Sequence, residues 1–335
     1  MQELKTLDEI DLAIFHVLEI SPRAPWTTVG AAVGIDAVTA ARRWEAMRAA
    51  NRAYVTSYPL FTRETHLTFV EITCRADRVR DLASTVARDP HALSVDIVSG
   101  RSSLFVVAGA VGAAGLQRFV LDRLPALPDV DAVVSHPIVS IHREGGFAAA
   151  GTLPRRGREI LPEVRRGTLV PSVAPVDDLD WRICLELARD GRASIAQLSR
   201  AIGVSASMIA RRLRRLTADG ALHVRAGLAP SASGDGARVW LGLRVRPVDV
   251  SDAVREIARF AGVSSVSLVA GDHNLFVEIA LPHLAALEVF EATIQRAEPT
   301  IRVVTRMVVL DHVRRVSRIF DARGDAAEFA SIDLR

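Results

Sequence analysis

The chain repeats itself, and this internal repeat constrains its fold more than any other feature of the 335 residues. When the sequence is shifted by 169 positions, residues 8–55 align with residues 177–224 without a gap. Farther along, at a shift of 171 positions, "SGRSSLFVV" (99–107) aligns with "AGDHNLFVE" (270–278). A long-period repeat of this kind predicts two copies of one unit of about 150 residues, and each unit has two parts.

The first part of each unit has the apolar periodicity of three short helices. In the second copy, an aspartate-capped helix with apolar residues at helical spacing ends at "RDGR" (189–192), where Gly191 is predicted to cap its C-terminus. Ser194 begins a second helix, Gly203 gives a tight turn, and Ser205 caps a third helix that ends at Gly220, before a short extended segment. This layout is typical of a helix-turn-helix, in which the start of the last helix enters the major groove of DNA.

The two copies of this three-helix part differ in charge. Residues 177–225 hold nine arginines against six acidic residues, whereas residues 7–56 hold five arginines against six. The third helix reads "SASMIARRLRRLTADG" (205–220) in the second copy and "DAVTAARRWEAMRAAN" (36–51) in the first. It ends at Asn51 in the first copy in place of Gly220, and asparagine also tolerates the left-handed conformation that this position needs. Because arginine is suited to phosphate recognition, we expect the second copy to bind DNA more strongly. The alternative is a three-helix core with a solvated basic face.

The second part of each unit changes to strands that alternate with helices. Strands are predicted at 67–75 and 239–246, and each is followed by a helix, a hairpin through a glycine turn, a second helix and a last strand. The order β-α-β-β-α-β is the ferredoxin-like arrangement. Its helices cover one sheet face only, so we expect the two sheets to pack together and make the chain a covalent pseudo-dimer.

These patterns predict an α+β protein in which two winged/helix-turn-helix three-helix domains alternate with two ferredoxin-like βαββαβ domains. The segment between the copies is rich in Gly, Ala, Pro and Arg and is predicted to be a linker. The predicted bounds are 4–58 for the first helix-turn-helix, 64–143 for the first ferredoxin-like domain, 144–175 for the linker, 176–228 for the second helix-turn-helix and 236–318 for the second ferredoxin-like domain.

The segment "DDLDWRICLELARDGRASIAQLSRAIGVSASMIARRLRRLTADGAL" (177–222) resembles the DNA-binding domain of the Lrp/AsnC (leucine-responsive/asparagine regulator) transcription factors. It follows the family's order of L-D-x-x-D, an apolar stripe, D-G-R, a G-[LV]-S turn and R-[VL]-x-R-L. The α/β parts are similar to the family's effector-binding domain. The resemblance implies a bacterial regulator that is not an enzyme. Its implied partners are double-stranded DNA, a small effector such as an amino acid or related metabolite, and further copies of the chain, joined through the α/β domains into dimers or larger assemblies.

The resemblance also assigns candidate DNA-binding residues. The start of the third helix faces the groove, and later arginines reach phosphates; these candidates are Ser205, Ala206, Ser207, Met208, Arg211, Arg214 and Arg215. In the first copy the corresponding candidates are Thr39 and Arg42. Arg212 lies close to the buried face, where it either forms a salt bridge with an acid such as Asp180 or contacts DNA.

The family binds its effectors near the glycine turn of the α/β domain. Carried over to this sequence, the candidate effector-binding residues are Gly100, Arg101, Ser103, Gly271, Asp272, His273 and Asn274. Asn274 stands where the family often has aspartate, and Ser103 departs further from that pattern. The alternative is that each glycine only forms the hairpin turn.

No common catalytic motif is present and the nine histidines are scattered, so we predict no catalytic residue, metal site or cofactor. Sirohaem decarboxylases use the same architecture and are the enzyme alternative, although their histidine-rich partner motif is missing. A third possibility is a ligand sensor or assembly protein that does not bind DNA. No apolar run approaches the roughly 18 residues of a membrane span, and the first residues lack a signal core. We therefore expect a cytoplasmic protein.

Overall fold

The computed structural model describes residues 7–144, 155–161, 169–234, 236–260 and 262–335, so the rest of the predicted linker lies outside the described residues. The three-helix part of the first copy comprises α1 (Glu9–Ile20), α2 (Trp26–Val33), α3 (Ala37–Ala49) and β1 (Ala53–Ser57). Its α/β part comprises β2 (Thr65–Cys74), α4 (Val79–Ala87), β3 (Ala92–Val98), β4 (Leu104–Val111), α5 (Ala113–Gln117) with a π-helical continuation, and β5 (Val130–Glu144).

The second copy repeats this order after a short helix, α6 (Arg155–Ile160), in the segment predicted to be a linker. Its three-helix part comprises α7 (Asp178–Arg189), α8 (Ile195–Ile202), α9 (Ala206–Ala218) and β6 (Val224–Leu228). Its α/β part comprises β7 (Ala237–Arg244), α10 (Val250–Ile257), β8 (Val263–Val269), β9 (Leu275–Leu281), α11 (Ala286–Ala297) and β10 (Arg302–Arg315). Two strands that were not predicted, β11 (Arg318–Phe320) and β12 (Ala326–Phe329), follow. The predicted βαββαβ order is confirmed in both copies.

The third helix of each copy ends where the sequence predicts a left-handed residue. Gly220 follows α9 with a φ of 70°, and Asn51 follows α3 with a φ of 57°. Glycine reaches this conformation without a steric penalty, and asparagine is among the side chains that tolerate it. The substitution of one residue for the other therefore leaves the fold of the two copies alike.

The eight long strands form one closed barrel. The first sheet has the order β3-β4-β2-β5 and the second has the order β8-β9-β7-β10. The edge strand β5 pairs with β8, and β10 pairs with β3, so that each sheet closes the other. The sequence predicted that the sheets pack face to face, but it did not predict these edge pairings.

The two junctions have the same register. Ile138 pairs with Val269 in one of them, and Val309, 171 positions after Ile138, pairs with Val98 in the other. Both junctions also contain bulges at corresponding places. The barrel therefore has an internal pseudo-two-fold axis, as expected of a covalent pseudo-dimer.

The barrel is covered by helices outside and filled by aromatic rings inside. Helix α4 packs on the first sheet and helices α10 and α11 pack on the second. Between the sheets lies an aromatic layer in which neighbouring ring centroids are 4.9–5.4 Å apart; its members are Phe69, Phe105, Trp240 and Phe276. Packed rings of this kind give the middle of the barrel a rigid core.

The two three-helix domains share a ribbon, because β1 pairs with β6 in antiparallel fashion. Gly191, predicted to cap α7, lies instead against β1: its backbone N–H donates to the carbonyl of Val55 at 2.8 Å. A Cβ atom at this glycine would lie 2.5 Å from Val55 Cγ1. The glycine is thus required by the close approach of the other copy, a contact that lies far away in sequence.

A reciprocal pair of arginines fastens the two domains together. Arg192 donates to the carbonyls of Pro22 at 2.7 Å and Ala24 at 2.8 Å. Arg23, its counterpart 169 positions earlier, donates to the corresponding carbonyls of the second copy, Gly191 and Ala193. Hydrogen bonds from charged donors contribute about 1.5–3 kcal/mol each, so this clasp holds both domains in one arrangement.

Candidate functional site

Helix α9 presents its first turn to solvent. The Ser205 hydroxyl accepts the backbone N–H of Met208 at 3.3 Å, which caps the helix. Ser205, Ala206 and Ser207 are exposed and Met208 is half-exposed, whereas Ile209 begins the buried face. The predicted groove-facing residues therefore lie together on one accessible surface.

The four arginines of α9 divide between two faces of the helix. Arg211 and Arg214 are exposed, and neither has a hydrogen-bond or ion-pair partner within the described part of the chain. Arg212 lies 2.7 Å from Asp177 and 3.2 Å from Asp180, so the salt bridge proposed for it is present. Because residues three apart share a helix face, Arg215 follows Arg212 and also binds Asp180.

The partner of Arg215 is Asp180, whose burial the sequence does not reveal. Its carboxylate is fully buried, and its side chain also accepts the backbone N–H of Asp177 in the capping box of α7. A buried carboxylate requires charged or hydrogen-bonding partners, and two arginines supply them. The prediction that Arg215 contacts phosphate stays a prediction, but its guanidinium is held by the protein.

Helix α3 of the first copy offers fewer unpaired charges at the same place. Its cap is an exposed acid, Asp36, whose carboxylate accepts the N–H of Thr39 at 2.8 Å. Arg42 is exposed, like Arg211 in α9. The next turn carries an ion pair, Arg48 with Glu45 at 2.7 Å, where α9 has unpaired Arg214 at the position of Glu45. We call the exposed face of the third helix in each copy its reading surface. The lower positive charge predicted for the first copy is therefore a property of this surface.

The glycine turns of the α/β parts use two of their polar side chains internally. Ser103 Oγ lies 3.2 Å from both the backbone nitrogen and the carbonyl oxygen of Cys74. Asn274, 171 positions later, binds the corresponding backbone groups of Val245 at 2.9 and 2.7 Å. These side chains fasten each hairpin to the neighbouring strand. Gly100 and Gly271 flank them in the turns, and Arg101 and Asp272 are exposed.

The inner sides of both turns meet in a buried polar cluster. Ser102 donates to Glu71, and Glu71 lies 2.9 Å from His136 Nε2. The His136 ring contacts the His273 ring at 5.6 Å, and His273 Nε2 lies 2.7 Å from Thr305 Oγ1. The hydrogen bond from His136 lowers the pKa of Glu71, whereas burial lowers the pKa of His273.

His273 therefore points into the barrel. The two predicted turns are connected there by Glu71 and His136, which are not among the predicted site residues. Glu71 and His136 lie on β2 and β5, more than twenty residues from either glycine turn. Their alternation with apolar residues along these strands marks them as inward-facing. The pairing of β2 with β4 brings Glu71 to the first turn, and the edge pairing of β5 with β8 brings His136 to the second.

A cavity of about 150 Å³ lies at the other end of the barrel, beyond the aromatic layer and against the β1–β6 ribbon. Charged side chains lie on one of its sides. Glu278 is held by Arg315, by Arg238 at 3.4 Å and by the hydroxyl of Ser264 at 2.7 Å. Burial alone would raise the pKa of Glu278, but Arg315 and Arg238 outweigh it and hold this pKa well below its usual range.

Asp96 lies behind the same wall. Its carboxylate accepts the indole N–H of Trp240 at 3.0 Å and lies 2.7 Å from His312 Nδ1. Burial lowers the pKa of His312, against the pull of Asp96. Nothing local in the sequence connects these residues, because they come from three strands, β3 of the first copy and β7 and β10 of the second.

Among the residues that the structure describes, no group of three or more His, Cys, Asp or Glu side chains is placed to hold a metal ion. No helix in the same ranges is both long enough and apolar enough to cross a membrane.

Comparison with known proteins agrees with the repeat. Residues 7–48 and 176–217 both match the AsnC-type helix-turn-helix domain, and residues 67–146 match the Lrp/AsnC ligand binding domain. The HTH-type transcriptional regulator LrpA of Mycobacterium tuberculosis is 30% identical over 139 residues, which are 40% of this chain and 89% of that protein. An uncharacterised HTH-type transcriptional regulator of Pyrococcus horikoshii, PH0140, is 31% identical over 116 residues, 34% of this chain and 73% of its own length.

A solved structure is similar over nearly the whole length. The crystal structure of the siroheme decarboxylase NirDL in co-complex with an iron-uroporphyrin III analogue covers 92% of this chain and 93% of its own, with a TM-score of 0.59. The sequence identity is 14%, so the likeness concerns the fold alone.

Proposed function

The chain belongs to the Lrp/AsnC family, and from that premise we propose that it is a transcription regulator that binds specific sequences of double-stranded DNA and responds to a small-molecule effector. The observation that carries the proposal is the surface of α9, where an exposed, serine-capped first turn adjoins two exposed arginines, Arg211 and Arg214, that have no ion-pair partner among the described residues. Because the proposed ligand is DNA, we expect the protein to act in the cytoplasm.

In this proposal the residues of α9 have two roles. Ser205, Ala206, Ser207 and Met208 approach base edges, where small side chains allow the backbone to come close. Arg211 and Arg214 bind phosphates. Arg215 would have to leave a buried carboxylate to do the same, and breaking a buried ion pair is costly. The phosphate contacts therefore depend mainly on Arg211 and Arg214.

The first copy supplies a weaker half of the interface. Thr39 and Arg42 are its candidate contacts, and the acidic cap Asp36 lies where phosphate or base oxygens would approach. We expect one chain to select an asymmetric DNA site with one stronger half. A perfectly palindromic site would indicate instead that two chains pair and each uses its second copy.

The test is the salt dependence of DNA affinity, measured on a duplex selected from a random pool by the wild-type protein. The logarithm of affinity falls against the logarithm of salt concentration with a slope of roughly −0.9 per phosphate contacted. We expect the double variant Arg211→Ala/Arg214→Ala to make the slope shallower by about two such increments. Arg255→Ala/Arg259→Ala, which removes two exposed arginines from the α/β region, is the matched control.

An unchanged slope for the α9 variant, with a folded protein by circular dichroism, would remove these arginines from the interface. Repeating the selection with Ser207→Ala or Met208→Ala tests base recognition. We expect a changed base preference at one or two positions, with each lost contact costing about 1–3 kcal/mol. An identical preference would contradict the placement of this turn in the groove.

We propose that the protein is not an enzyme. Relatives at 30–31% identity are named transcriptional regulators, and the cavity of about 150 Å³ has the size of one that holds benzene, far smaller than a tetrapyrrole. Titration with an iron tetrapyrrole tests this directly. A new Soret band with a stoichiometry of one would support the enzyme alternative.

Effector control and assembly are the remaining parts of the proposal. Gly100, Arg101, Gly271, Asp272 and His273 stay the predicted turn site, with Ser103 and Asn274 acting on the hairpin backbone. Assembly through the α/β domains is supported by large apolar side chains exposed on β5 and β10; these are Val134, Val139, Val304 and Leu310. Val139 and Leu310 occupy corresponding positions 171 apart, so a second copy of the chain could meet both.

A further inference from the structure

We propose that the cavity between the barrel and the β1–β6 ribbon is an effector site for a small carboxylate with an apolar body, and that its occupancy alters DNA binding. This inference rests on the proposed function and adds a site to it. The aromatic layer formed by Phe69, Phe105, Trp240 and Phe276 separates the cavity from the glycine turns, so the two sites are distinct.

The cavity lies on the pseudo-two-fold axis of the chain. Its lining contains both members of several repeated pairs, at a shift of 171 positions in the barrel and 169 in the ribbon. Four of the seven barrel pairs are Leu67 with Arg238, Leu93 with Ser264, Val107 with Glu278 and Ile141 with His312; the ribbon pairs include Tyr54 with His223 and Thr56 with Arg225. The axis therefore passes through the cavity.

The two copies have diverged inside this cavity mainly in one direction. In the four barrel pairs just named, the first copy has an apolar residue and the second a polar or charged one. The other three barrel pairs that line the cavity do not follow this direction; they are Phe69 with Trp240, Ser94 with Ser265 and Glu144 with Arg315. Two identical chains would give both walls the same chemistry. The fused chain instead has a more apolar wall opposite a more polar one, which suits a ligand with an apolar body and one polar end.

The surroundings of Arg225 indicate that the polar end of the ligand is an anion. Among the three arginines that line the cavity, Arg238 and Arg315 share Glu278, and Arg315 also lies 3.8 Å from Asp96. Arg225 instead binds the hydroxyl of Tyr58 at 2.8 Å and reaches Glu144 at 4.0 Å. A carboxylate would give this guanidinium a close charged acceptor of matching, two-oxygen geometry.

The side chain of His223 also indicates that a ligand binds in this cavity. His223 lines the cavity, and its Nε2 atom is buried without a hydrogen-bond partner among the residues that the structure describes. Buried polar atoms nearly always have a partner. A ligand oxygen beside Arg225, two residues along the chain, would supply one.

The size of the cavity limits the ligand to a small molecule. An apolar cavity of about 150 Å³ holds benzene, so a ligand of roughly six to ten non-hydrogen atoms fits. Benzoate and 3-methylbutanoate have this size and the required carboxylate, and benzamide has the shape of benzoate without its charge. These three compounds are therefore the probes.

The walls of the cavity explain how occupancy would reach DNA. Thr56 and Arg225 belong to the ribbon that joins both three-helix domains, whereas Leu67 and Arg238 belong to the barrel. A ligand in the cavity would therefore contact both the β1–β6 ribbon and the barrel. If it binds more tightly in one arrangement of the ribbon on the barrel, it shifts the population of the two reading helices toward that arrangement.

The first experiment measures binding of the probes to the full chain without DNA, by isothermal titration calorimetry. We expect benzoate to bind wild type, and benzamide to bind at least tenfold more weakly. Arg225→Thr, which places the first copy's residue in the second, should lose at least tenfold in benzoate affinity. Arg255→Ala, which removes an exposed arginine from α10, is the matched control and should bind benzoate as wild type does.

A second variant guards against misfolding of the first. Leu93→Phe places a larger apolar side chain in the cavity without removing a charge. Because this side chain fills part of the cavity, it should weaken the binding of both carboxylate probes. If neither benzoate nor 3-methylbutanoate binds wild type at millimolar concentration, or if Arg101→Ala in the predicted turn site weakens benzoate binding and Arg225→Thr does not, the inference is overturned.

The second experiment measures DNA affinity in the presence of saturating benzoate. We expect at least a threefold change in Kd for wild type and none for Arg225→Thr. Calorimetric binding with an unchanged Kd for DNA would overturn the regulatory step. DNA affinity without any probe tests the proposed function separately, because its failure would leave the calorimetric result intact.

Discussion

Arg43 in the first copy and Arg212 in the second occupy the same place on their helices and bind corresponding aspartates. Arg43 lies 2.7 Å from Asp8 and 2.9 Å from Asp11. Arg212 makes the equivalent contacts, but its inner aspartate, Asp180, is fully buried and also binds Arg215. The first copy has alanine at the position of Arg215.

This difference separates two uses of arginine on one helix. In both copies an arginine on the inner face joins the third helix to the cap of the first, so that contact belongs to the fold. The second copy adds an inner arginine, Arg215, and an outer one, Arg214. Arg215 stabilises the three-helix domain through Asp180, and Arg214 adds positive charge to the exposed face of α9.

The largest effect is expected from removing the inner aspartate of each copy. Asp180 accepts hydrogen bonds from Arg212 and Arg215, and a hydrogen bond to a charged group contributes about 1.5–3 kcal/mol, so Asp180→Ala should lower the free energy of unfolding by about 3–5 kcal/mol. Asp11→Ala should cost only about 1 kcal/mol, because Asp11 and Arg43 remain partly exposed and salt bridges of that kind are weak. Urea unfolding followed by circular dichroism compares the two variants. Equal losses would mean that the burial of Asp180 has no energetic consequence.

A second contrast concerns Glu19 of α1, which has Ala188 as its counterpart 169 positions later. Burial raises the pKa of Glu19 from 4.5 to about 8, against the opposing charges of Arg225 and Arg238. The folded protein therefore holds a proton that the unfolded chain releases above pH 4.5, and stability is lost as the pH rises toward 8.

Glu19→Gln should remove this loss. Its free energy of unfolding should be close to that of wild type at pH 5 and exceed it by roughly 4 kcal/mol at pH 9. Chemical unfolding of both proteins at the two pH values measures the difference. Parallel pH dependences would show that Glu19 titrates normally in the folded protein.

The repeat predicts much of this architecture because the signals involved are local. Capping aspartates, the turn at Gly203 and the left-handed residues Asn51 and Gly220 act within a few positions of the chain, and each was found where it was expected. The order of strands and helices in the α/β parts follows from periodicity, which is also local.

The sites are harder to predict because their residues meet through long-range pairing. Glu71 joins His136 only because β2 pairs with β5, and Asp96 joins His312 only because β10 closes the barrel against β3. Arg215 was assigned to phosphate because its positive charge is visible in the sequence, whereas the burial of Asp180 is not. Where each charge is neutralised depends on tertiary contacts.

The smallest effect is expected from transferring the outer arginine to the first copy. Glu45 occupies the position of Arg214 and pairs with Arg48 at an exposed site, where the ion pair contributes little stability. Glu45→Arg removes an acid from the weaker reading surface, adds a phosphate-binding group and leaves Arg48 available.

If both helices read DNA, the salt dependence of affinity for Glu45→Arg should steepen by about 0.9, the increment for one additional phosphate contact. Filter binding across a salt series on the selected duplex measures this slope. Asp252→Arg, on the surface of α10, changes net charge by the same amount and is the control. A slope that steepens equally for both variants would reflect net charge alone, and one that stays at the wild-type value would mean that α3 lies away from the DNA backbone.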